Sequence, residues 1–93
     1  MQGELQAALA KLWDEARPRL LERVDVLDAA VAEPDRGDLR ELARAEAHTL
    51  IGTLGTFGRV DLGNTARAAQ DALVDGDLAA VARATAVLRA ALV

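Results

Sequence analysis

The sequence contains no cysteine, so neither a disulfide framework nor a thiolate metal site is available to it. It contains one histidine, His48, which cannot by itself build a multi-histidine metal site. Its only aromatic side chains are Trp13 and Phe57, and the strand-favouring residues Ile, Tyr and Phe are scarce. Positive charge is in deficit: the net charge of −4 does not supply the basic stripe that nucleic-acid binding wants, and it disfavours an anionic membrane surface. No apolar run approaches the 18 or more residues of a membrane span. The opening residues Met1-Gln2-Gly3-Glu4 lack the basic region and apolar core of a secretion signal. These absences predict a cytoplasmic protein without a cofactor, a metal site, a nucleic-acid partner or a membrane partner.

What is present is alanine, leucine and valine. Ala and Leu are strong helix formers, and their abundance points to an all-α fold. A chain of 93 residues accommodates one domain around one core, here residues 1–93. Leu5, Leu9, Leu12, Ala16, Leu20, Val24, Leu27 and Val31 step by three or four residues, which predicts a helix over 4–32 with that stripe inward. Pro18 interrupts the run and predicts a kink there or two abutting helices. The turn formers of 32–37 end it.

A second helix is predicted from Asp38 to Leu54, with Asp38 as N-cap and Glu41 completing a capping box. Gly55 and Gly58 bracket the following turn. A third helix runs from Val60 or Asp61 to Val74, with Leu62, Ala66, Ala69 and Leu73 inward, and Gly76 stops it. Asp77 caps a fourth helix whose inner stripe is Leu78, Val81, Thr85, Leu88 and Leu92. Short connections favour antiparallel neighbours, so the expected architecture is an up-down-up-down four-helix bundle.

The second helix is the informative one. At about 100° per residue, Ala43, Leu50 and Leu54 fall within roughly 60° of Leu39 and mark the core direction. His48 falls about 180° away, on the solvent side. Glu41, Arg44, Ala45, Ile51, Gly52 and Gly55 share that outer face. Glu46 lands near the core edge, where it calls for a basic partner at a helix seam. Glycine costs about 1 kcal/mol against alanine inside a helix, so Gly52 and Gly55 suggest that something needs the space beside the histidine. An exposed imidazole is largely uncharged at neutral pH, and its free ring nitrogen is a nucleophile toward phosphorus. Taken alone, a surface histidine is more often just a surface residue, and a glycine near a helix end is often a stop signal.

The segment from Ala47 through His48, Leu50, Gly52, Thr53 and Gly55 to Gly58 resembles the signature of histidine phosphotransfer (HPt) domains, approximately A-H-x-L-K-G-S-x-G-x-x-G. The Ala, His, Leu and three glycines match, and Thr53 stands where Ser is usual. The resemblance implies a four-helix bundle and a phosphoryl group carried on the outer ring nitrogen of His48. It further implies Gly52 kept small for a receiver partner, which brings Mg²⁺ and the acceptor aspartate, and a histidine kinase upstream. It implies a monomeric phosphocarrier rather than an enzyme in its own right. Ile51, with Gly52 and Gly55, would line the docking surface. Ile51 departs from the pattern, because many members place Lys there to neutralise phosphate. Arg44, one turn before His48, is the first candidate to supply that charge, with Arg67 and Gln70 of the third helix if it packs beside the active face.

Ile51 also motivates an alternative, a degenerate HPt-like docking or regulatory module without phosphotransfer. The Ala/Leu/Val stripes alone fit a plain helical oligomerisation domain. Trp13 and Phe57 are expected to fill core gaps, Phe57 at the bundle end. The acidic residues Asp14, Glu15, Glu22, Asp25 and Asp28 are expected to form a solvated helix face.

Overall fold

The apolar periodicities resolve into four α-helices in the computed structural model, which describes residues 2–93: α1 (Gln2–Ala32), α2 (Gly37–Thr56), α3 (Val60–Asp75) and α4 (Leu78–Leu92). Met1, which belongs to the expected domain, lies outside the described residues. Each helix packs on two neighbours: α1 on α2 and α4, and α3 on α2 and α4. Connections of two to four residues force the chain to reverse at each step. Cross-helix pairs show the reversal directly. Trp13 and Arg23 of α1 meet Phe57 and Glu46 respectively, so one number rises as the other falls. Asp25 and Asp28 of α1 share Arg89 of α4, while Arg17 reaches the carbonyl of Leu92.

The core is leucine and valine backed by alanine. Leu20, Val24 and Leu27 of α1 meet Leu50 and Leu54 of α2, Leu73 of α3, and Val81, Leu88 and Leu92 of α4. Ala43, Ala47, Ala66 and Ala69 are equally buried, and such small side chains let helix axes approach closely. Thr85 is the one buried polar side chain of this core, and its hydroxyl donates to the Ala82 carbonyl at 3.0 Å. The expected inner stripes of α3 and α4 are the observed ones, with Leu62 and Leu78 half-buried at the edges.

Both α2 and α3 end on a glycine in the left-handed region, Gly58 at φ 70° and Gly76 at φ 74°. After α2 the Arg59 amide donates to the Leu54 carbonyl at 2.9 Å, and after α3 the Asp77 amide donates to Ala72 at 2.9 Å. Each wraps otherwise orphaned carbonyls at a helix end. Asp77 caps α4 as expected, its carboxylate accepting from the Ala80 amide at 3.1 Å.

Three expectations are corrected. Of the two outcomes expected at Pro18, two abutting helices do not occur: α1 is one helix through it, and Pro18 is exposed. The first three turns of α1 do not join the core. Residues 2–12 are all exposed, Leu5, Leu9 and Leu12 at 63%, 47% and 52%, because this helix is longer than its partners and projects past the α2–α3 turn. Burial on α1 begins with Trp13, packed edge-on to Phe57 at 5.2 Å between ring centres, with the Arg59 guanidinium 4.3 Å from the Trp13 ring.

The third correction concerns the start of α2. The helix begins one residue earlier, and its N-cap is Arg36, with no side-chain cap. Asp38 instead accepts hydrogen bonds from Arg36 Nε at 2.8 Å and Nη2 at 2.7 Å, and Glu41 turns to Arg44. The bidentate guanidinium is the better partner because it is charged and matches the carboxylate fork.

Two outcomes are expected. Leu50→Ala should cost about 2–5 kcal/mol in urea unfolding, since it empties a fully enclosed site. The hydrogen bonds from Arg36 hold the Asp38 carboxyl down to about 2. A depressed carboxyl stabilises above its unfolded value, so this pair's contribution should be complete above about pH 4 and lost as pH falls through the folded value. An NMR titration of Asp38 checks it, and Arg36→Ala should return the midpoint to the ordinary carboxylate range.

Candidate functional site

The helical register of α2 places its functional side chains. Ala43, Ala47, Leu50 and Leu54 are fully buried, and His48 and Thr49, between Ala47 and Leu50, are exposed, with His48 the one opposite Leu50. His48 is exposed, midway along the helix, as its position opposite Leu50 predicts. On the α1 side, Glu46 pairs with Arg23 at 2.5 Å in a half-buried seam, the basic partner that its place on the wheel called for. That ion pair ties α2 to α1 next to the histidine without occupying its face.

On the α3 side, the Gln70 amide nitrogen lies 3.5 Å from His48 Nδ1. The contact is long and therefore weak, and the ring tautomer decides which group donates. As placed, the amide N–H points at an unprotonated Nδ1; turned over, its carbonyl would accept from Nδ1–H. Arg67 sits three residues before Gln70 on the same face of α3 and is exposed, with no ion pair among the described residues. Arg44, one turn before His48, is bound to Glu41 at 3.2 Å in an exposed pair. Thus α3 does pack beside the histidine face, which brings Gln70 into contact and sets Arg67 on the adjoining surface.

Gly52 and Gly55 are exposed, and a Cβ built on either would meet nothing within 4 Å. The helix continues past Gly55 to Thr56, so the stop signal is Gly58 and Gly55 is an interior glycine. Ile51 departs from its expected place on the outer face: it is half-buried and packs on the core. Only part of it faces a partner, because its position on the wheel falls at the edge of the buried arc.

No three His, Cys, Asp or Glu side chains gather as metal ligands among the described residues. Grooves lined by Trp13, Gly58 and Arg59 lie at the α2–α3 turn, and His48 lines none of them. The histidine stands exposed on α2, with Arg44 one turn before it, Gly52 one turn after it, and Gln70 of α3 beside it. Such a surface offers a nucleophile to a second macromolecule and has no enclosure for a small substrate. The sequence indicated His48, Gly52, Gly55, Arg44, Arg67 and Gln70; it did not name Arg23 as the partner of Glu46, nor the Glu41–Arg44 pair, whose three-residue spacing was the available signal.

Because nothing in the fold occupies the space over Gly52, Gly52→Ala should fold normally and gain up to about 1 kcal/mol in urea unfolding. A loss of stability would mean that the fold itself, rather than a partner, requires the glycine.

No curated protein and no solved structure matches the chain. The family model for the Hpt domain matches residues 4–93, from the first turn of α1 to the last residue. The outward histidine, the glycines beside it and a family match over nearly the whole chain agree: this chain belongs to the Hpt domain family.

Proposed function

We propose that His48 is the phosphoacceptor of this domain, taking a phosphoryl group from one partner's aspartate and passing it to another's. Hpt domains are phosphocarriers that interact with histidine kinases and response regulators in phosphorelays, not free-standing enzymes. The observation that carries the assignment to His48 is its exposure at mid-helix, opposite the buried Leu50 and above two exposed glycines.

In the proposed transfer, the His48 Nε2 lone pair attacks phosphorus in line, the Nε2–P bond forms, and the P–O bond of an aspartyl phosphate breaks to return a carboxylate. The reverse exchange passes the group on. Nε2 is free to attack when the ring proton is on Nδ1, and a half-turn of the Gln70 amide puts its carbonyl oxygen there to accept a hydrogen bond from Nδ1–H. The chemistry asks mainly for alignment and charge neutralisation. The acceptor carboxylate and the divalent cation belong to the receiver. Arg44 and Arg67 supply positive charge where Ile51 cannot. Gly52 and Gly55, with the exposed edge of Ile51, form the docking surface. The domain works as a monomer in the cytoplasm; no helix among the described residues is long and apolar enough to cross a membrane.

The test is incubation with a phosphorylated receiver, tracking acid-labile phosphate. Wild type should take label and His48→Gln should take none. Gly52→Gln should keep its melting temperature but slow transfer by about tenfold or more, the effect of bulk at the centre of an interface. A wild-type chain that binds the receiver yet takes no label would instead be the docking module without transfer, the reading that an uncharged Ile51 favours.

A further inference from the structure

Along the outer face of α2, Glu41, Arg44 and His48 stand in line at spacings of three and four residues, the two spacings that make helix neighbours. Arg44 is in the middle and can reach either way. In the structure it turns toward Glu41, Nη1 to Oε2 at 3.2 Å. Both side chains are well exposed, at 44% and 76%, so water competes for each and the pair is weak. Glu41 has no other ion-pair partner among the described residues and does not serve the helix N-terminus, where Arg36 is the cap.

We propose that Glu41 is a storage partner for Arg44, holding its guanidinium one turn from His48 until a phosphoryl group arrives, whereupon Arg44 exchanges Glu41 for the phosphoryl oxygens. The inference rests on His48 being the phosphoacceptor. A carboxylate offers one negative charge, and a phosphoryl group on Nε2 offers two and three acceptor oxygens. Guanidinium binds both bidentately, so the exchange turns on charge, and the dianion wins it. Glu41 then sets how readily the switch occurs: it weakens the grip of Arg44 on phosphate by competing for it. Without a receiver to align an acceptor and bring its divalent cation, a guanidinium held on the phosphoryl oxygens stabilises the resting phosphohistidine and obstructs the approach of water, so it slows hydrolysis. Glu41 is accordingly a positioning residue, acting through Arg44 on the lifetime of the phosphorylated state.

The experiment phosphorylates the full chain with phosphoramidate, where the Nε2–P bond forms as the donor's P–N bond breaks and ammonia leaves. The half-life of the phosphohistidine is then measured for wild type, Glu41→Gln, Arg44→Ala and the double variant. Glu41→Gln should lengthen it by about twofold or more, the scale of an exposed ion pair. Arg44→Ala should shorten it, and Glu41→Gln should have no effect once Arg44 is gone. The Arg44 Nε–H resonance should shift on phosphorylation of wild type, which a merely structural role for Glu41 would not require. An unchanged half-life in Glu41→Gln overturns the proposal, and so does an effect that persists without Arg44, which would be direct repulsion between Glu41 and phosphate. If neither phosphoramidate nor a phosphorylated receiver labels His48, the phosphoacceptor reading falls and the exchange falls with it; label on His48 with a half-life indifferent to Glu41 sinks the exchange alone.

Discussion

Four side chains on one face of α2, Ala43, Ala47, Leu50 and Leu54, are wholly removed from water, and the direction of everything else on that helix follows from them. Each buried leucine is worth about 1.5–3 kcal/mol relative to exposure. Turning α2 by a single residue, about 100°, would bring both leucines toward solvent and carry polar side chains inward, a loss no surface contact could offset. His48 therefore points outward because the leucines point inward. The Arg23–Glu46 pair at the α1 seam contributes register rather than much energy, since both groups are only partly buried and had to leave water to meet.

The same constraint explains why so small a protein suffices for a carrier. The core is built from short side chains, and alanine at the seams lets α2 and α3 lie close enough for Gln70 to touch the His48 ring. No pocket is needed, because the second reactant is a protein surface that brings its own acceptor. What this chain adds to such a meeting is an exposed histidine and open space over Gly52 and Gly55. Ile51 is half-buried against the core, so it contributes packing rather than outward charge.

Two errors in the sequence reading fell at helix ends, where competing partners decide the outcome. The Leu5–Leu9–Leu12 spacing is a sound amphipathic pattern, yet those residues are exposed because the facing helices stop short of them. Asp38 has the residue type and spacing of a cap, yet a nearby arginine offered a charged bidentate partner. In each case the local rule was satisfied in principle and overridden by what lay opposite.

The sequence by itself determined the helices, the buried stripes of α2, α3 and α4 and the outward direction of His48, because helix periodicity is local and a helix buries its apolar face. It also carried the glycines beside the histidine and, through them, the resemblance to the Hpt family. The tertiary structure alone decided which side chains stand around that histidine. Gln70 is 22 residues away, and Arg23 as far from Glu46, so their meetings depend on how the helices pair and not on any spacing along one of them.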